Sequence, residues 1–182
     1  MKNQLRKHLK ANLLNKIIYL INKYRFGFLG KNVFFDKNVD FIRFNKNLNV
    51  SDNVVFKSGA KISCCNASAK ISIGANTTIG YNAFIFSSKS IEIGKDCMIS
   101  SFVYIVDSSH GIKKNINMNS QDEIADNISI GDDVWIGQGS TILPGVKIGN
   151  GSIVGARSLV NKSIGENKIY AGNPAKEIGI RS

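Results

Sequence analysis

One spacing constrains this chain more than any other: aliphatic residues recur every six positions toward its C-terminus. Ile130, Ile136, Ile142, Ile148, Val154 and Val160 keep the period without a slip. A small residue follows most of them, at Gly131, Gly137, Gly149 and Gly155. Neither a helix of period 3.6 nor an alternating strand produces a period of six. Six-residue units do, when each forms one flat side of a parallel β-helix. The aliphatic residue then points into the coil and the small one fits the tight corner. Three units close a triangle, so one coil takes about eighteen residues.

The pattern runs further back. Ile93, Ile99 and Ile105 keep it, as do Ile73, Ile79 and Ile85; Val50, Phe56 and Ile62 keep it more loosely, and Val33 and Val39 are read as its start. The spacing predicts about five to six coils between Val33 and Val160. The register breaks after Ile62, after Ile85 and after Ile105. The first two breaks are short and read as bulged corners. The third, from about Val106 to Asn127, cannot fit inside a coil and must leave the prism as a loop. Loops of that length are usually functional or disordered. The predicted organisation is an arm over 1–30, a β-helix domain over 31–178 with an extruded loop at about 106–128, and a tail over 179–182. A chain of 182 residues, 43% of them hydrophobic, suits one such domain with a core.

Charge is unevenly placed. The formal net charge is +11, from 24 basic and 13 acidic residues. Eight of the basic residues and none of the acidic ones lie in the first 35, leaving 16 against 13 for the rest. That arm also carries Leu5, Leu9, Leu13, Ile17 and Ile21 four apart, widened by Leu14, Ile18 and Leu20. This predicts a short amphipathic helix with a basic polar face. Its apolar run is too short to span a bilayer. Two readings stay open: a helix lying on an anionic membrane surface, or one that packs on the prism and caps its first coil. No nucleic-acid motif accompanies the charge. The three cysteines have no framework spacing, and adjacent Cys64 and Cys65 point to opposite sides of a strand. They read as reduced, small apolar residues. With no cleavable leader visible, a cytoplasmic protein is expected, with peripheral membrane contact left open.

The stretch from Ile130 to Lys176, IGDDVWIGQGSTILPGVKIGNGSIVGARSLVNKSIGENKIYAGNPAK, closely resembles the hexapeptide-repeat acyltransferases. It is most similar to the branch of galactoside, maltose and nodulation-factor O-acetyltransferases and of O-antigen and capsule O-acetyltransferases. DDVWIG, ILPGVKIG and AGNPAK carry the likeness, and it extends over roughly 33–178. The resemblance implies an all-β, left-handed parallel β-helix, acetyl-CoA as co-substrate, no metal, and a homotrimer with sites in clefts between neighbouring prisms.

It also implies roles. His110, in YIVDSSHG at the mouth of the long loop, matches the family's general base, which takes the proton of the acceptor hydroxyl. An imidazole near neutrality suits that task. The other histidine, His8, reads as a solvated residue of the arm. Asp107 is the nearest carboxylate and is expected to hold the other ring nitrogen, the alternatives being a backbone carbonyl in that place and a turn cap by Asp107. Ser108 and Ser109 read as turn residues, because the family transfers the acyl group directly. Trp135 matches the family's Trp beside the acceptor or pantetheine channel. Gln138 matches a backbone N–H directed at the thioester oxygen. Gly137 and Ala156 match positions that leave room for the pantetheine arm. Lys162 and Lys176 match basic positions near the CoA phosphates, with Pro174 fixing the turn before Lys176. Asn82 matches an acceptor-side position. Lys176 replaces a frequent Arg and keeps the charge without the bidentate fork.

The activity this implies is acetyl-CoA-dependent O-acetylation of a sugar hydroxyl, with a surface-polysaccharide precursor as acceptor. The alternatives are N-acetylation of an amino sugar nucleotide and antibiotic acetylation on the same fold. Carbonic anhydrases of this fold need three zinc-binding histidines, and the repeats contain one. A scaffold with no chemistry would need neither His110 nor Trp135.

Overall fold

The computed structural model describes residue 9 and residues 11–182. The arm supplies α1 (Leu13–Arg25), which opens with a capping box: the Asn12 side chain accepts from Asn15 N–H, and Asn15 returns the bond to Asn12 N–H. The helix therefore starts later than the four-residue apolar spacing. Leu9 precedes it, and Leu5 and His8 fall outside the described residues.

The prism follows. Its first coil is β1 (Phe28–Leu29), β2 (Phe34–Phe35) and β3 (Asp40–Arg43). The second is β4 (Leu48–Val50), β5 (Val55–Phe56) and β6 (Lys61–Cys64), and the third β7 (Lys70–Ile73), β8 (Thr78–Ile79) and β9 (Phe84–Ser87). The fourth is β10 (Ser90–Ile93), β11 (Met98–Ile99) and β12 (Tyr104–Val106). An excursion, β13 (Ser108–His110) and β14 (Glu123–Ala125), interrupts the winding. Coils five and six are β15 (Ile128–Ile130), β16 (Trp135–Ile136), β17 (Thr141–Ile142) and β18 (Lys147–Ile148), β19 (Ile153–Val154), β20 (Leu159–Val160). The hairpin β21 (Lys168–Gly172) and β22 (Ala175–Ile180) closes the C-terminal end.

Corresponding strands stack in parallel into three sheets, one per side of the prism. Face A runs β1-β4-β7-β10-β15-β18, face B runs β2-β5-β8-β11-β16-β19-β21 with β22 antiparallel at its end, and face C runs β3-β6-β9-β12-β17-β20. The winding is left-handed, against the usual right-handed crossover. In-register pairing puts the period-six residues in buried columns, such as Ile79, Ile99, Ile136 and Val154 on face B. Corners turn through left-handed backbone at Asn53, Asn76, Asp96 and Asp133, where amides ladder from coil to coil: Asn53 Nδ2 donates to Asn76 Oδ1 at 3.1 Å and Asn76 Nδ2 to Asp96 Oδ1 at 2.9 Å.

One difference from the sequence reading lies at the start of the series. The inward stations of the first coil are Leu29, Phe35 and Phe41, not Val33 and Val39. Phenylalanine replaces the aliphatic residue there, so the period looked absent. Phe35 stacks on Phe56 at 5.4 Å, and Phe26, just after α1, packs edge-on against Phe41 at 4.7 Å. These rings plug the open end of the prism. The register breaks all fall at one corner, where face C returns to face A, after Phe41, Ile62, Ile85 and Ile105. That corner tolerates inserted chain, and the long excursion is its largest instance.

Candidate active site

The excursion is an ordered hairpin rather than a bare loop. β13 and β14 pair antiparallel, with Ser108 opposite Ala125, Ser109 opposite Ile124 and His110 opposite Glu123. Its tip is held by Gln121, whose Oε1 accepts from Lys113 N–H at 2.7 Å and whose Nε2 donates to Ile116 O at 3.0 Å. Ile112, Ile116, Met118 and Ile124 are exposed on it, an apolar content that the polar residues of the segment had masked.

The root of the hairpin is Asp107, which is wholly buried. Its Oδ1 accepts from Ser88 N–H at 2.6 Å, and its Oδ2 accepts from Ser87 Oγ–H at 2.7 Å and Lys89 N–H at 2.9 Å. All three donors belong to the corner of the preceding coil. The expected contact with His110 is not made, because both carboxylate oxygens are turned into this nest of donors. The three donors satisfy the buried carboxylate. Ser88 extends the network: its Oγ donates to Glu123 Oε1 at 2.8 Å and lies 3.0 Å from Ser108 Oγ. Coil three therefore grips both strands of the hairpin.

His110 stands exposed on β13, the one histidine among the described residues. Alternation along the strand puts Ser108 and His110 on the same side of the stem, with Glu123 and Ala125 opposite them. Glu123 is thus the carboxylate in register with His110. Sequence reasoning missed it because thirteen positions separate the two, and only the hairpin pairing brings them side by side.

The other candidate residues lie elsewhere on the prism. Trp135 points outward from β16, 45% exposed, and its Nε1–H donates to Ser100 Oγ at 3.1 Å. Gln138 and Ala156 are exposed and stack at the corner between faces B and C, where Arg157 N–H donates to Gln138 O at 2.8 Å. Asn82 occupies the same corner two coils before Gln138, in left-handed backbone. Gly137 is buried; a Cβ there would lie 2.6 Å from Ala156 N, so close stacking of coils five and six itself demands glycine. Pro174 lies in the turn of the β21–β22 hairpin after a cis peptide bond, and Lys176 is exposed on β22 opposite Ala171. Lys162 is exposed just after β20, at the corner where face C returns to face A.

Apart from Pro174 and Lys176, which lie on the hairpin at the end of face B, the candidates form two groups on one prism. Asp107, His110 and Lys162 gather at the corner between faces C and A. Trp135, Gly137, Gln138, Ala156 and Asn82 gather along face B and its corner with face C. A side of six residues, roughly 20 Å of extended chain, lies between them. It carries the outward rings of Phe84 and Tyr104, stacked at 5.5 Å, with Phe86 beside them. At the corner, Phe102 adopts φ 59°, an uncommon backbone for a bulky residue.

No cysteine competes as a nucleophile at neutral pH among the two buried ones. Burial pushes the Cys64 thiol up to about 11, with Cys65 and Asp107 adding to the shift. Burial likewise pushes Cys97 up to about 11. Both stay protonated and unreactive.

A stacked six-residue-repeat prism with an ordered hairpin extruded from one corner defines a hexapeptide-repeat transferase. Residues 127–162 match the bacterial transferase hexapeptide family (six repeats), and residues 70–106 match the hexapeptide repeat of succinyl-transferase. The chain is 35% identical over 146 residues, 76% of its length and 74% of the relative's, to WbbJ of Escherichia coli K12, to which lipopolysaccharide biosynthesis O-acetyl transfer is ascribed. A maltose O-acetyltransferase from Clostridium difficile 630 superposes with TM-score 0.68 at 28% identity, over 98% of this chain and 82% of that one. AntD, an N-acyltransferase from Bacillus cereus solved with dTDP and 3-hydroxybutyryl-CoA, superposes with TM-score 0.80 at 25% identity, over 90% and 87%. The chain belongs to the hexapeptide-repeat acyltransferases, and it is an acyltransferase of the acetyltransferase type.

Proposed function

We propose that the protein transfers an acetyl group from acetyl-CoA to a sugar hydroxyl, with His110 as general base, in the building of a surface polysaccharide. The placement of His110 carries the reading: an exposed imidazole on a rigid stem gripped at its root by Asp107, Ser88 and Glu123. The imidazole removes the acceptor's hydroxyl proton as the oxygen attacks the thioester carbon; the C–S bond breaks and the CoA sulfur takes the proton back from the imidazolium. Glu123, across the stem, is the carboxylate placed to favour that imidazolium. Asp107 acts by holding the stem in position rather than by touching the ring.

Trp135, Gln138 and Ala156 are assigned to the pantetheine side, Lys162 and Lys176 to the CoA phosphates, and Asn82 to the acceptor side. Because His110 and the Trp135 group occupy different edges of one prism, the complete site takes one edge from each of two copies, as in a homotrimer with three clefts. The exposed apolar tip of the hairpin suits a lodging against the neighbouring copy.

The test is thiol release from acetyl-CoA with a panel of sugars, comparing wild type with His110→Ala. Acceptor-dependent release should fall by about 10²–10⁴-fold in the variant. Release that survives the substitution would remove His110 from the chemistry. The backbone likeness to AntD favours a second reading, acyl transfer to the amine of a nucleotide-linked amino sugar. Including a dTDP-linked amino sugar in the panel separates the two, since only one acceptor class should yield release.

A further inference from the structure

The arm resolves into two unlike faces. At 100° per residue, Asn15, Ile18, Tyr19 and Asn22 fall on one side of α1. That side docks on the first coil: Asn15 Nδ2 donates to Phe35 O at 2.8 Å, Tyr19 Oη to Gly30 O at 3.1 Å, Ile18 packs on the core, and Asn22 is buried. The opposite side carries Leu13, Leu14, Ile17, Leu20, Ile21 and Tyr24, all exposed, with Leu13 at 73% and Tyr24 at 78%. Capping the prism thus accounts for the polar-centred face and leaves the more apolar one uncovered.

Lys16 and Lys23 border the uncovered stripe on one side and Arg25 on the other. Lys46 reaches the end of the helix, its Nζ donating to Tyr24 O at 2.7 Å. No acidic residue occurs before Asp36, and Lys2, Arg6, Lys7 and Lys10 precede the helix in sequence. An apolar stripe rimmed by cations fits an anionic lipid surface: the side chains enter the acyl boundary while the ammonium and guanidinium groups meet phosphate. Two copies meeting through this stripe would set cationic rims against each other with no acid to pair them. The helix is also preformed by its docking, so binding does not require the ordering that an isolated thirteen-residue helix would need.

We propose that the Leu13–Tyr24 stripe of α1 is a membrane-docking surface that holds the prism on anionic lipid. It does not depend on which acceptor the enzyme uses. Among the described residues no helix is long and apolar enough to cross a membrane, so the contact is one of lying on the surface.

The experiment is flotation of the full chain with vesicles of phosphatidylcholine alone and of phosphatidylcholine with one quarter phosphatidylglycerol. Each cation at an anionic surface strengthens partition about fivefold. The protein should therefore bind the anionic vesicles at least about tenfold more tightly than the neutral ones, with high salt weakening the difference. The variant Leu13→Gln/Ile17→Gln/Leu20→Gln should lose binding to both, and Lys16→Gln/Lys23→Gln should weaken binding to the anionic vesicles about 25-fold while leaving that to the neutral ones unchanged. Unchanged thermal unfolding would show that both variants remain folded, since every altered side chain is exposed. Equal binding to the two vesicles, no binding to either, or unaltered binding by the first variant would overturn the proposal. So would a first variant that dissociates into smaller species by light scattering, because the stripe would then be buried between copies.

Discussion

Replacing Asp107 with asparagine asks what the buried carboxylate is for. The side chain keeps its shape, but one oxygen becomes an NH2 facing the nest of donors. Turned either way, the amide keeps one acceptor and sets a donor against at least one backbone N–H, from Ser88 or Lys89. Two of three charge-assisted bonds weaken or vanish, at about 1.5–3 kcal/mol each. Relief of burying a charge returns part of that, leaving a net loss of about 3 kcal/mol. For a chain of this length that corresponds to a midpoint lowered by roughly 6–12 °C. The loss is local to the root of the stem that carries His110. Misplacing a base by about 1 Å costs on the order of 10²-fold, so kcat/KM should drop about 10–100-fold, less than for His110→Ala. The assay is a pH profile of kcat/KM beside thermal unfolding. The expected profile keeps its apparent pKa while its height falls and the midpoint drops. An unchanged midpoint together with a downward shift of the pKa would refute the reasoning. It would mean that Asp107 stabilises the imidazolium directly, as a carboxylate bonded to the ring would.

Glu123→Gln provides the complement: the bond from Ser88 can persist, so the melting midpoint should move little while kcat/KM falls, and an unchanged kcat/KM would rule out its part. Gly137→Ala should destabilise by about 1–3 kcal/mol through overpacking against Ala156, measured by denaturant unfolding; a variant as stable as wild type but with a raised KM for acetyl-CoA would show that the glycine serves the pantetheine arm instead. Phe56→Ala should cost about 3–5 kcal/mol, because its ring joins Phe35 and Phe41 in the plug at the open end. The buried thiols give a pH dependence of known sign. Cys64 and Cys97 are raised in the folded state to about 11, from an ordinary value of 9.0, so stability is fully present below pH 9 and is lost as pH rises toward 11. A Cys64→Ala/Cys97→Ala variant should lose that component of alkaline destabilisation, and equal slopes for both proteins over that range would count against it.

The period of six is a local property, written residue by residue, and the prism could be read from it. Ile130 to Val160 needed no tertiary information, because each side of a coil repeats the same turn chemistry. The extruded segment was legible for the same reason: nineteen surplus residues between Ile105 and Ile130 have no room inside a triangle. The first coil was harder, since Phe35 and Phe41 fill inward stations that elsewhere are aliphatic. What the sequence could not decide depends on neighbours far along the chain. Asp107 lies three positions from His110, yet its partners are Ser87, Ser88 and Lys89 of the coil below. Glu123 lies far from His110 in sequence and faces it across the stem. Residues one coil apart touch more intimately than residues three apart on one strand, because stacking sets coils at hydrogen-bonding distance. The arm shows the same division. Its spacing determined an amphipathic helix, and only docking on the first coil decided which face is buried, because Asn15 and Tyr19 find partners there that the leucines cannot.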